Sequence, residues 1–398
     1  REAPESFALT AKFVDLNGDG APDLYVANDF EDTDELWYND RHGNFKRAGW
    51  TAQRQLSNAA MGFDVADIDG DGKPDLFCVD MLANDSHRLK TQMPTHSPLP
   101  KKPGDLASQL QQQRNTLYLN RGDGTFGEIG QMAGVTASGW SWTTMFLDVD
   151  LDGRPDILVG NGHLWDIMDA DVQERVAKLQ NNPEWRSLRW QFPPLKLKNV
   201  AWRNHGDLTF ENTSASWRFG TDDGISHAMA AADLDGDGDL DVVVNRLGAP
   251  ALLLRNDAPA RRVAIRLSAD APNTRAVGAT LALRAGALPL QSREITAGGL
   301  YLSHSDYLAS FAMGDADSAA LDITWRDGRH TTMTVHANRL YEITSATAAV
   351  RTLATASAAE RAPAPVPAPV PAPVPAPPLF EDASPQLGGH MHVENTFD

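Results

Sequence analysis

The sequence predicts an all-β fold in which β-propeller blades precede a small β-sandwich, and three observations carry that prediction. A nine-residue acidic pattern occurs four times, and each copy leads into a short apolar or β-branched run of strand character. After three of these runs comes a stretch of alternating apolar residues around a Gly turn, the mark of a β-hairpin. One unit thus reads strand, acidic loop, strand, hairpin, which makes a four-stranded propeller blade. Beyond residue 258 the acidic pattern stops while short alternating segments continue, as a sandwich requires.

The acidic copies are Asp15-Leu-Asn17-Gly-Asp19-Gly-Ala21-Pro-Asp23, Asp67-Ile-Asp69-Gly-Asp71-Gly-Lys73-Pro-Asp75, Asp148-Val-Asp150-Leu-Asp152-Gly-Arg154-Pro-Asp156 and Asp233-Leu-Asp235-Gly-Asp237-Gly-Asp239-Leu-Asp241. Positions one, three, five and nine hold fifteen Asp and one Asn, so 15 of the 53 acidic residues sit in these loops. Carboxylates crowded in this way repel unless a cation compensates, and hard oxygen ligands at alternating positions suit calcium. Four calcium sites are therefore expected. The side chains at those positions are the candidate ligands, and position seven (Ala21, Lys73, Arg154, Asp239) offers its backbone carbonyl. Gly at position six permits the sharp turn. Asp-Gly loops also serve as ordinary turns; fourfold repetition favours metal. The EF-hand is excluded, because it needs Glu at position twelve between helices, and here Val26, Cys78, Val159 and Val244 occupy that position inside strand-like runs.

Those runs are Leu24-Tyr-Val-Ala, Leu76-Phe-Cys-Val, Ile157-Leu-Val-Gly and Val242-Val-Val-Asn. Cys78 reads as a small buried hydrophobe. Hairpins are expected at Glu35-Leu-Trp-Tyr-Asn-Asp-Arg-His-Gly-Asn-Phe45, Asn115-Thr-Leu-Tyr-Leu-Asn-Arg-Gly-Asp-Gly-Thr-Phe126 and Asn199-Val-Ala-Trp-Arg-Asn-His-Gly-Asp-Leu-Thr-Phe210. Loop-to-loop spacings of 52, 81 and 85 residues exceed a plain blade in the last two intervals. The surplus is placed in insertions at 82–114, with a short helix expected over 106–114, and at 164–198. In the second, Asp169 is the expected N-cap of a helix carrying Val172, Val176 and Leu179, followed by Trp185, Trp190 and Phe192.

The chain accordingly divides into propeller blades at 1–258, a sandwich at 259–349, a linker at 350–378 and the start of a following domain at 379–398. The sandwich includes an Asp327-Gly328 hairpin turn and scattered histidines, His304, His330 and His336, that read as surface or satisfied groups. The linker holds nine of the 25 prolines between Pro363 and Pro378, enough to enforce polyproline II. In the last segment His390 and His392 give only two ligands for a transition metal.

A length of 398 residues suits two or three domains. The formal charge of −18 argues against nucleic-acid and anionic-membrane partners, and no stretch reaches the ~20 apolar residues needed to span a bilayer. Four bound dications would contribute +8 and bring the charge to −10. A single cysteine excludes an intrachain disulfide framework. Arg1 is followed almost at once by a strand-like run at 7–14, so a processed or truncated N-terminus is expected.

At the acidic loops the sequence resembles FG-GAP or VCBS repeats, the calcium-loop blades of integrin α-subunit propellers and of many secreted bacterial proteins. Ala276-Val-Gly-Ala-Thr-Leu-Ala-Leu-Arg-Ala-Gly, Arg293-Glu-Ile-Thr-Ala-Gly-Gly-Leu-Tyr-Leu-Ser303 and Ile323-Thr-Trp-Arg-Asp-Gly-Arg resemble the ASPIC/UnbV domain. The combination is similar to the cartilage acidic protein family. That resemblance implies a propeller, commonly seven-bladed, packed on a transthyretin-like sandwich, with calcium in the blade loops and secretion. Four loops fall short of seven; the missing blades are expected upstream of Arg1, the alternative being a ring that closes differently.

The functional expectation is a non-enzymatic, calcium-stabilised binding or structural module, secreted, at the cell surface or periplasmic, with a protein or glycan partner or self-association in a matrix assembly. One alternative is a calcium-dependent polysaccharide lyase or hydrolase, or a glycan binder, using the propeller face with His163 in Gly160-Asn-Gly-His-Leu-Trp165 and His227 in Ile225-Ser-His. Another is cell adhesion through Arg121-Gly122-Asp123, although this tripeptide occupies a hairpin turn that needs such residues anyway.

Overall fold

The computed structural model describes residues 6–30, 32–92, 109–178, 192–344, 350–355 and 379–387. Four antiparallel four-stranded sheets form a propeller-like array. They comprise Ala8–Val14, Asp23–Asn28, Glu35–Asn39 and Phe45–Arg47; Gly62–Ala66, Asp75–Val79, Thr116–Asn120 and Phe126–Glu128; Ser141–Leu147, Asp156–Asn161, Val200–Asn204 and Phe210–Asn212; and Ser226–Ala232, Asp241–Arg246, Leu252–Asn256 and Phe380–Asp382. In each sheet an acidic loop joins the first two strands. The second strands are the most apolar, Asp75–Val79 being buried at every residue, because both faces pack on neighbouring blades.

First strands of successive blades lie side by side. Thr10 Oγ1 donates to Met61 O at 3.1 Å, Lys12 pairs with Asp64 at 2.5 Å, and Asp64 Oδ2 accepts the Phe146 amide at 2.9 Å. Gly62 permits this approach, since a Cβ there would stand 2.6 Å from the Trp142 carbonyl.

The fourth blade corrects the domain boundaries. Residues 379–387, expected to open a following domain, instead supply its last strand: Phe380–Asp382 pairs with Leu252–Asn256, and Phe380 is buried against Phe219. The last strands of the other blades likewise begin with Phe45, Phe126 and Phe210, so Phe380 fills a position the blade requires. The sandwich is therefore inserted between the third and fourth strands of this blade, and the propeller does not end at 258.

In the sandwich, Arg262–Ser268 lies between Leu308–Ala312 and Arg339–Thr344, pairing parallel with the latter, and Val350–Thr355 adds the edge. The second sheet is built from Thr280–Arg284, Gln291–Glu294, Ser318–Thr324 and His330–His336. Strict alternation of burial along Ser318–Thr324 puts Ala319, Leu321 and Ile323 into a core with Ile265, Phe311 and Ile343. The expected linker start at 350 is thus moved, because 350–355 continue the ladder; residues 356–378 lie outside the described residues.

The expected helix over 106–114 is also corrected: Leu110–Gln112 is a strand pairing parallel with Gln55–Ser57, so tertiary pairing overrides the helical propensity of glutamine. Residues 106–108 lie outside the described residues, as do Leu179, Trp185 and Trp190. Ala170–Ala177 is a helix, its N-cap Asp169 accepting the Val172 amide at 3.0 Å. Cys78 is fully buried and touches the Tyr25 hydroxyl at 3.6 Å.

One buried carboxyl makes the fold sensitive to pH. Asp34 accepts from Tyr25 Oη at 3.0 Å and from the Asn28 amide at 2.9 Å, yet burial raises its pKa to about 7. A raised carboxyl contributes stability that is complete below its unfolded value near 3.8 and is lost as pH rises through 7. Denaturant midpoints measured in excess calcium should therefore fall between pH 5.5 and 8, and Asp34→Asn should reduce that slope.

Candidate metal centres

Each acidic loop is folded around its first aspartate. Asp15 accepts the amides of Gly18 (2.8 Å) and Asp19 (3.1 Å) on one oxygen and of Gly20 (2.7 Å) on the other. Asp67 and Asp233 repeat the three bonds, and Asp148 makes two, to Asp152 and Gly153. The chain must turn left-handed at position four, where three loops have Gly and the third has Leu151 at φ 55°. Leu151 is buried against Ala312 of the sandwich, so its packing offsets a conformational cost of roughly 1–2 kcal/mol.

The ninth position is the deepest. Asp23, Asp75, Asp156 and Asp241 are at most 1 % exposed. Each accepts the amide of position two on one oxygen and, on the other, the amide of an Asn closing the third strand: Asn39, Asn120, Asn204 and Asn256, all at 2.8–2.9 Å. These asparagines were missed in the sequence, although their recurrence at one place in every blade was available to be read. Three of them also staple blades together, since Asn120, Asn204 and Asn256 donate to the carbonyls of Leu16, Ile68 and Val149 in the preceding loop. Those three position-two side chains are buried, whereas Leu234 of the fourth loop is 53 % exposed.

Carboxylate oxygens converge within 4.8 Å in three loops: Asp67, Asp69 and Asp71; Asp148, Asp150 and Asp156; Asp233, Asp235 and Asp241. In the first loop the Asn17 amide replaces one carboxylate and its oxygen accepts the Asp19 amide at 2.9 Å. Burial, then mutual repulsion, raises the carboxyl pKa values: to about 6 at Asp23, Asp67 and Asp241, to about 8 at Asp75, and well above the ordinary range at Asp148 and Asp156. Asp150 Oδ1 is buried with no hydrogen-bond partner. Crowded, dehydrated hard oxygens with an orphaned atom among them fit a hard dication.

The protein supplies some countercharge itself. Arg203 reaches Asp150 at 2.5 Å and Asp152 at 2.9 Å, Arg255 lies 4.0 Å from Asp235, Lys73 pairs with Asp71, and Arg154 is 3.7 Å from Asp152. Arg262, from the sandwich, pairs with Asp237 and lies 3.3 Å from Asp239, which is only 1 % exposed. Asp239, expected to offer only its carbonyl, thus faces an arginine with its side chain. These cations lie against positions three, five and seven, leaving one and nine to the backbone amides. The arginines carry no motif in the sequence and depend on tertiary placement.

The sandwich touches all four loops. Asp15 N donates to Glu294 Oε2 at 2.9 Å, Pro289 stands against Gly70 and Gly153 closely enough that a Cβ on either would meet it at 3.1 and 3.4 Å, and Ser310 Oγ donates to Gly238 O at 2.7 Å. The sandwich therefore rests on the loop face of the blades.

The other candidates are placed elsewhere. His163 and His227 are brought together, both packing on Trp142 with ring centroids 5.7 and 4.8 Å away, and His163 Nδ1 is held at 2.6 Å from Trp165 O. Arg121-Gly122-Asp123 is exposed in its hairpin turn, where Asp123 accepts from Thr125 N at 3.0 Å and Thr125 Oγ1 at 2.6 Å. His304 accepts the Gly298 amide at 3.0 Å, and His330 lies 3.1 Å from Thr324 Oγ1. His390 and His392 lie outside the described residues.

Comparison with known proteins agrees with this architecture. Residues 15–78, 105–159 and 197–244 match the FG-GAP-like repeat, and residues 269–350 match the ASPIC and UnbV family. Cartilage acidic protein 1 of Homo sapiens is 26 % identical over 255 residues, covering 54 % of this chain and 37 % of that protein. The proteins of the same name from Xenopus tropicalis and Mus musculus are 25 % identical over 257 residues and 24 % over 269, covering 56 and 58 % of this chain and 39 and 40 % of their own lengths. The chain spans about two-fifths of the length of the curated relatives it matches.

Proposed function

Because the chain belongs to the proteins that join FG-GAP-like repeats to an ASPIC and UnbV domain, we propose that it is an extracellular, non-enzymatic binding or structural module whose four acidic loops hold calcium. The observation that carries this reading is the repeated acidic loop: oxygen ligands at positions one, three, five and nine, the ninth buried in every loop and the carboxylates converging within 4.8 Å in three of them, in loops that also bear the sandwich. The ligands would be Asp15, Asn17, Asp19 and Asp23 in the first loop, Asp67, Asp69, Asp71 and Asp75 in the second, Asp148, Asp150, Asp152 and Asp156 in the third, and Asp233, Asp235, Asp237 and Asp241 in the fourth. The carbonyls of Ala21, Lys73, Arg154 and Asp239 complete them.

Calcium would neutralise the buried carboxylates and fix each strand junction, so that the loop face of the blades becomes a rigid seat for the sandwich. The similarity to cartilage acidic proteins favours secretion and a protein or glycan partner in a matrix, with self-association as a further mode. The test is capture of calcium-loaded protein on arrayed matrix proteins and glycans. Retention that is lost in EDTA supports a binding module. Conversion of an arrayed glycan to product by protein that is not retained would overturn it.

A further inference from the structure

Between the inner strands of the blades and the sandwich lies a cavity of about 600 Å³. Its size suits a small organic ligand, and its walls mix polar and apolar groups. Two ion pairs stand along it: Lys12 pairs with Asp64 at 2.5 Å, and Arg266 holds the lining Asp306 through two bonds of 3.0 and 2.6 Å. Arg293 is different. It lines the cavity from the strand Gln291–Glu294, and among the described residues its side chain makes no hydrogen bond and no ion pair. Enclosure lowers its pKa, while Asp64 and Asp148 favour the charged form from a distance. A half-buried guanidinium at a cavity wall offers five donors in a planar fork, the geometry that grips a carboxylate through two parallel bonds.

We propose that this cavity binds an acidic sugar, with the uronate carboxylate on Arg293. A singly charged group fits better than a phosphate, because Glu294 and Asp327, neither of them a proposed calcium ligand, line the same cavity and would repel a second negative charge. The remaining lining offers partners for sugar hydroxyls in Ser292, Thr296 and Ser305, and an aromatic wall where Tyr307 meets His304 edge-on at 4.7 Å. The assignment rests on the calcium-loaded reading above, since Asp15 and Asp67 also line the cavity and would repel an anion without their cation.

The experiment is calorimetric titration of the calcium-loaded chain with galacturonate and digalacturonate, with galactose, malonate and inorganic phosphate as comparators, alongside an independent calcium titration. The uronates should bind at least tenfold more tightly than galactose or malonate, and Arg293→Gln should weaken them at least tenfold while leaving calcium binding unchanged. Arg293→Lys should recover part of that loss. Equal affinity in wild type and Arg293→Gln, or equal binding of galactose, would overturn the proposal. Malonate or phosphate binding as well as the uronates would show an anion seat without sugar recognition, and overturn the sugar assignment. Failure of the calcium titration itself would count against the loop reading; calcium binding without uronate binding would count against the cavity alone.

Discussion

Chelation at pH 7.5 is expected to lower the unfolding temperature by at least about 10 °C relative to protein in 1 mM calcium. An ion present at a hundred times its dissociation constant stabilises the fold by about 2.7 kcal/mol per site, and four such sites together approach 11 kcal/mol. A chain of this size shifts by roughly 1–2 °C per kcal/mol, which sets the lower bound. The sign follows from the carboxyls: at Asp23 and Asp75 burial already opposes ionisation, so at neutral pH the metal-free loops must either hold protons or bear dehydrated charge. Magnesium should restore little, because it keeps its waters and demands a tighter octahedron than a nine-residue loop of carboxylates and a carbonyl provides. Calorimetry in calcium, in magnesium and in EDTA measures this directly, and coincident melts in all three would refute it.

The second large effect is expected at Asn204. Its side chain donates to Ile68 O at 2.9 Å in the preceding blade and to Pro155 O at 3.2 Å in its own, and its carbonyl oxygen accepts the Gly206 amide at 2.8 Å. The residue is 1 % exposed, so no water replaces those partners when the amide is removed. Asn204→Ala should destabilise the protein by about 3–5 kcal/mol, the sum expected when several buried backbone groups lose their partners together. Because one bond crosses to the second blade, the loss should also uncouple the blades: denaturant unfolding should broaden or split where wild type gives one transition. Asn256→Ala, which breaks the corresponding bond to Val149 O at 3.0 Å, provides a second reading of the same effect. Arg121→Ala, in an exposed turn of the second blade, is the control and should change stability by less than about 0.5 kcal/mol.

Much of this molecule was legible because its blades repeat. Four copies of one loop gave the strand junctions, and Gly-centred alternation gave three hairpins, each found at its place. What escaped shares one cause: it depends on contacts between segments far apart in the chain. Phe380–Asp382 is a three-residue strand that follows a proline-rich stretch, and only its partner Leu252–Asn256 identifies it as part of a blade. Leu110–Gln112 was read by its glutamines and not by the strand Gln55–Ser57 that captures it. In the loops, ligand-type residues could be named from spacing alone, but Arg203, Arg255 and Arg262 arrive from other strands, and Arg262 from another domain. The asparagine staples lie between these cases, since the residue recurs in sequence while its bond to the neighbouring loop exists only after the blades pack.

Acidic loops that are calcium sites must carry the metal in fixed number, so the number of calcium ions held by each chain under native conditions tests them at first hand. Native mass spectrometry of protein dialysed against calcium, with the position-one variants Asp15→Ala, Asp67→Ala, Asp148→Ala and Asp233→Ala, counts the ions and assigns them. Four ions per chain are expected in wild type and three in each variant. A wild-type chain that carries none, or variants that lose none, would contradict the calcium assignment.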